Sequence, residues 1–99
     1  MPAISLDGAM TNVHVGFLPG KASATQSSFT VAGKPALRKG DPISSHSLIM
    51  DPKVKHAGMK IAMGAGSFTI AGKAVARVGD LTSCLGMLAQ GEGSFSVGG

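Results

Sequence analysis

The chain has 99 residues, enough for one small domain with a thin core. A body of this size buries only about 60–65% of the surface its unfolded form exposes, so a metal or a partner helps to hold it. The net charge is +4, but seven of the nine cations are lysines scattered from Lys21 to Lys73 without a run or interleaved aromatics, which argues against a nucleic-acid partner. A single cysteine excludes an internal disulfide.

In chain order, the N-terminus Met1-Pro2-Ala3-Ile4-Ser5-Leu6-Asp7 has neither the basic nor the apolar region of a signal peptide, which implies a protein made in a cytoplasm and carried by something else if it leaves. No apolar stretch approaches the ~20 residues of a membrane span. The phrase His14-Val15-Gly16-Phe17 follows, then a loop, then Ser28-Phe29-Thr30-Val31. Its polar–apolar alternation predicts a strand with Phe29 and Val31 on one face. Ala32-Gly33-Lys34 reads as a tight turn, Ala36-Leu37-Arg38 as a short return strand, and Gly40-Asp41 as the next turn.

The pattern then recurs. His56-Ala57-Gly58-Met59 leads to Ser67-Phe68-Thr69-Ile70, a Gly72-Lys73 turn, Val75-Ala76-Arg77 and Gly79-Asp80. Cys84-Leu85-Gly86-Met87 leads to Ser94-Phe95-Ser96-Val97, where the third copy stops. The copies span roughly 14–41, 56–80 and 84–99, with an insertion over roughly 42–55 that carries Pro42, His46 and Pro52. Glycine pairs at Gly64-Ala65-Gly66 and Gly91-Glu92-Gly93 predict close backbone approach where copies meet. No segment carries a helical apolar stripe, so the expectation is an all-β domain of short hairpins with threefold internal repeats.

Three of the four residues able to ligate a soft metal open the repeated phrase: His14, His56 and Cys84. His46 follows the Gly40-Asp41 turn by five residues, much as Cys84 follows Asp80 by four. Taken singly, a histidine is most often an exposed or hydrogen-bonded side chain and a lone cysteine a buried apolar filler. Repeat phase is what favours a shared site, since zinc takes imidazole nitrogen and thiolate sulfur, usually four in a tetrahedron. Four protein ligands close the coordination sphere and favour a structural role, with iron(II) as the alternative metal.

Other features have plainer readings. The spacing Arg38/Asp41 and Arg77/Asp80 reads as turn chemistry, with the aspartate accepting backbone N–H groups. Met59 and Met87 read as packing, and Met50 and Met63 as surface. The only glutamate is Glu92, and no nucleophile elbow or phosphate loop occurs, so the chain does not read as an enzyme.

The segments Gly33-Lys34-Pro35-Ala36-Leu37-Arg38-Lys39-Gly40-Asp41 and Gly72-Lys73-Ala74-Val75-Ala76-Arg77-Val78-Gly79-Asp80 resemble the PAAR-repeat family. The family is named for a Pro-Ala-Ala-Arg core between Gly-Lys and Gly-Asp. The core is degenerate here, Pro-Ala-Leu-Arg and then Ala-Val-Ala-Arg, while the flanks are intact. The resemblance implies a small conical PAAR-type domain that caps a trimeric β-helical spike, one tip per trimer. It would sharpen the tip of a contractile machine, a phage tail baseplate or a type VI secretion system, that meets a target cell's outer membrane. It implies one zinc near the apex, carried over onto His14, His46, His56 and Cys84. It also implies a base that binds the spike through strand edges and apolar side chains, for which Phe29, Val31, Phe68, Ile70, Phe95 and Val97 are the candidates. The short chain leans towards a virion tail tip. The rival readings are a free-standing zinc-binding module without a spike and a small hydrolase, and the latter would need an open metal position and a general base.

Overall fold

The computed structural model describes residues 2–13, 16–84 and 86–98, and at Pro52, Lys55 and His56 the backbone alone. Eight short strands make four antiparallel pairs, and there is no helix among the described residues. β1 (Ala3–Ile4) pairs with β8 (Glu92–Ser96), β2 (Thr30–Val31) with β3 (Lys34–Pro35), β4 (His46–Leu48) with β5 (Asp51–His56), and β6 (Ala65–Ile70) with β7 (Lys73–Val75). The domain measures 38 × 23 × 22 Å along its principal axes.

Hydrogen bonds between the pairs run in closed rings of three. Ser5 N–H donates to Ala76 C=O, Ala76 N–H to Leu37 C=O, and Leu37 N–H to Ser5 C=O, at 2.9–3.0 Å. Two residues on, Asp7 donates to Pro35, Lys39 to Ala74 and Val78 to Ala3. Gly8, Gly40 and Gly79 then donate to Ala22, Ile61 and Leu88. These three glycines have φ of 87°, 94° and 92°, a region that costs a side chain, which is why glycine recurs before each turn.

The rings assign the third copy. Ser5 occupies the place of Leu37 and Ala76, so the N-terminal strand serves as the return strand of the C-terminal copy. The boundaries read from sequence left residues 1–13 outside the repeats. The structure puts residues 3–12 inside them, because Ile4 and Leu6 fill the core positions that Ala36, Val75 and the motif arginines fill elsewhere. Val97 N–H donates to Pro2 C=O, so the break in the chain falls where the other two copies have a hairpin turn.

Those two turns are Ala32-Gly33 and Ala71-Gly72, with φ of 52° and 81°, and 50° and 81°. Positive φ at both central residues is the primed hairpin turn that matches strand twist. Alanine is a poor occupant of its first position, since a Cβ there meets the following carbonyl. Ala71→Asn is therefore expected to raise stability by about 0.5–1 kcal/mol, seen as a rise of a few degrees in thermal melting.

The core has two clusters. One gathers Ile4, Leu6, Ala36, Ala65, Ile70, Val75 and Val97, with Phe29, Val31, Phe68 and Phe95 packed against it. The other gathers Ala9, Ala22, Leu37, Ile43, Ile61, Ala76 and Leu88. The predicted close approach is realised at Gly64 and Gly91. A Cβ on Gly64 would lie 2.9 Å from the carbonyls of Ala74 and Val75, and one on Gly91 would lie 2.8 Å from that of Ile4.

The aspartates act as turn elements, as expected. Asp41 Oδ2 accepts the Arg38 N–H and Asp80 Oδ2 the Arg77 N–H, both at 2.8 Å. Arg77 also forms an ion pair with Asp80 at 3.0 Å. Arg38 is buried and donates instead to the Ile70 carbonyl and the Thr25 hydroxyl, which itself bonds Asp41. Met59 packs on the second cluster and Met50 and Met63 are exposed, as read from sequence, but Met87 is exposed too. The reason is phase. Ile43 N–H donates to Met59 C=O where Thr82 N–H donates to Gly86 C=O. Met59 thus matches Gly86, and Met87 falls at the outward position of Lys60.

Candidate metal centre and phenyl base

His46 and Cys84 come together. Each leaves the body just beyond a Gly-Asp turn, in segments whose hydrogen bonds match: Ser44 donates to Lys21, Ser83 to Lys60 and Asn12 to Met87. His14 stands two residues beyond Asn12 in sequence, as His46 stands two beyond Ser44. His14 itself lies outside the described residues. His46 thus belongs to the repeat phase, and His56 is carried by the extra β4–β5 hairpin. The backbone of His56 pairs directly across from His46, a register that sets antiparallel Cα atoms about 4.5–5.5 Å apart.

His46 Nε2 lies 3.6 Å from Cys84 Sγ. Nitrogen at about 2.0–2.1 Å and sulfur at about 2.3 Å from one tetrahedral zinc are about 3.6 Å apart, so this spacing is that of two ligands on a shared ion. His46 Nδ1 lies 3.0 Å from the Ser44 carbonyl, which can only accept, so Nδ1 carries the hydrogen and Nε2 presents its lone pair towards Cys84. The imidazole is 5% exposed, with the Phe17 ring edge-on to it at 6.2 Å. Thr82 Oγ1 lies 3.2 Å from Sγ on the other side. Among the described side chains the pair is His46 and Cys84, and donor type, spacing and tautomer all fit a soft divalent ion.

Gly20 is part of the same arrangement. A Cβ there would fall 2.7 Å from His46 Nδ1 and 2.7 Å from Ile43 Cγ2. Gly20→Ala is therefore expected to push the ring off its Ser44 bond and weaken zinc retention about tenfold, measured by competition with a chelator. Retention equal to wild type would remove Gly20 from the account.

At the far side of the core, Phe29, Phe68 and Phe95 form a triangle with ring centroids 5.2, 5.8 and 6.1 Å apart. Each comes from one copy and each is half-buried. Ile70 and Val97 point into the cluster beneath and are buried, and Val31 is half-buried. Of the six residues grouped by strand alternation, the three rings are thus the most prominent threefold feature at this end. The clusters separate the phenyl triangle from the His46–Cys84 pair.

The PAAR motif pattern matches residues 13–90, most of the chain. The chain belongs to the PAAR-motif family. Both motif copies and all four ligand candidates lie inside the matched span, while Ser5, which closes the threefold ring, lies before it. PAAR proteins are structural components associated with the spikes of contractile injection systems. The chain matches no curated protein sequence.

Proposed function

We propose that this PAAR-family chain is a metal-stapled tip that seats, one copy per trimer, on a trimeric β-helical spike. The observation that carries the reading is the closed three-membered hydrogen-bond ring crossed by the chain between a phenyl triangle and a ligand pair. A single chain offers three similar faces to a threefold partner only if its own backbone repeats about that axis. The exposed Ser67, Ser94 and Thr30 flank the rings, so the base combines an apolar centre with polar strand edges suited to continuing a partner's sheets. Burying three half-exposed rings supplies the apolar driving force, and the strand edges fix the register.

His46 and Cys84, with His14 and His56, are the residues that would hold one zinc. Bound there, the ion supplies cross-linking rather than reaction chemistry, tying together segments that leave the body where the core has ended. Ser44 orients the imidazole and Phe17 shields it. A closed four-ligand site leaves no position for substrate, which separates this reading from a hydrolase.

The test is the mass of the complex with the cognate spike. Three spike chains to one tip is the expected stoichiometry, and Phe29→Ser with Phe95→Ser should weaken the complex at least tenfold. Failure to form any complex at micromolar concentration would leave the free-standing zinc module as the better reading.

A further inference from the structure

The hairpin β4–β5 stands outside the threefold body, because the crossovers after the equivalent turns Gly8-Ala9 and Gly79-Asp80 are shorter and carry no equivalent among the described residues. Its turn also breaks a local preference. Leu48 pairs with Asp51, so the two central residues are Ile49 and Met50. Two-residue hairpin turns are ordinarily built from Asn, Asp and Gly, whose backbones tolerate the bend and whose side chains suit water. Here they are a β-branched residue and a thioether, 51% and 89% exposed. Phe17 bridges to Leu48, and the adjoining Leu18 is also exposed, as is Val54 on the return strand. Exposed apolar side chains therefore collect on the hairpin, on the side of the core away from the phenyl triangle.

Charge narrows the occupant. Behind the turn the hairpin sequence carries Lys53 and Lys55 against one acid, Asp51, in a chain of net charge +4. An apolar end backed by lysines suits a bilayer interface, with the side chains below the headgroups and the amines at the phosphates. A protein groove fits less well. A two-residue turn offers far less than the roughly 800 Å² per partner of a stable protein interface.

We propose that the Ile49–Met50 turn enters the headgroup boundary of an anionic lipid bilayer, with Lys53 held at the lipid phosphates. The hairpin then makes the first lipid contact of the tip. The proposal rests on the spike-tip reading only for why a bilayer is met, and its test uses no spike.

The chain has no tryptophan, so Met50→Trp places a single reporter in the turn. With vesicles of equal parts phosphatidylglycerol and phosphatidylcholine, its emission should move to the blue and iodide quenching should fall several-fold. Neither change should occur with phosphatidylcholine alone. A second variant, Ile49→Asn with Met50→Gly, puts common turn residues at both positions and removes the apolar pair. It should melt as wild type does and co-sediment with the anionic vesicles at least tenfold less than wild type. Unshifted emission on anionic vesicles, or equal sedimentation of wild type and the Asn-Gly variant, overturns the proposal. Spike binding by the Asn-Gly variant is scored separately. Complex formation without wild-type lipid binding sinks this proposal alone, and lipid binding without a complex sinks only the spike reading.

Discussion

Replacing Cys84 with alanine is expected to reduce bound zinc from about one per chain to near zero and to lower the melting temperature by about 15 °C or more. The size follows from what the ion would have to replace. The clusters end at Ile43, Ile61 and Leu88, and beyond them the chain continues through glycine-rich crossovers with exposed Val13, Leu18 and Met87. Among the described residues Phe17 is the one buried apolar side chain those crossovers carry, so a bound ion would be their main source of order. Losing one ligand of a structural site forfeits several kcal/mol, and each kcal/mol moves the midpoint of a domain this size by about 4–8 °C. Thr82→Val is the control. It keeps the thiolate, removes only the hydroxyl 3.2 Å from it, and should cost far less. Elemental analysis and calorimetry on protein purified without chelator decide the matter. Metal-free wild type whose melting is unchanged by added zinc would rule out the site.

Much of this was legible in the sequence, and the misses have a common physical cause. The Ser-Phe strand phrase, the Gly-Lys turn and the Gly-Asp turn are local, so short-range similarity finds them, and the phenyl triangle follows from their spacing. The phase of the ligands is not local. The ligand-x-Gly phrase sets His56 beside Cys84, yet the hydrogen bonds set Met59 beside Gly86 and bring His46 to Cys84. A one-residue slip is invisible to a phrase match, but it decides which side chain faces the core. The N-terminal strand was harder still. It carries Leu6 and Ala9 where the motif has arginine and aspartate, and it is separated from the rest of its copy by the length of the chain. The hydrogen-bond ring through Ser5 and the pairing of Ala3 with Ser96 reveal the relation.

That relation sets the second large effect. Deleting residues 2–8 is expected to abolish cooperative folding. Ile4 and Ser5 are fully buried and Leu6 nearly so. Burying each large aliphatic contributes about 1.5–3 kcal/mol, and every inward hydrogen bond left without a partner costs about 1–3 kcal/mol more. The deletion orphans the N–H groups of Leu37, Val78 and Val97 and the carbonyls of Pro35, Ala76 and Ala22. Together these are at least comparable with the roughly 5–15 kcal/mol by which a domain is stable. Loss of contacts can be separated from loss of chain order by a circular permutant that begins at Gly33, joins Gly99 directly to Pro2, and ends at Ala32. In the repeat, Gly99-Pro2 then stands where Gly33-Lys34 and Gly72-Lys73 make their turns, and the new ends open a turn that the structure already places at the surface. The permutant is expected to fold, to melt within a few degrees of wild type, and to match wild type in zinc bound per chain. If it fails to fold while the wild type folds, the third copy is not the cyclic equivalent of the other two, and the argument for a threefold base loses its footing.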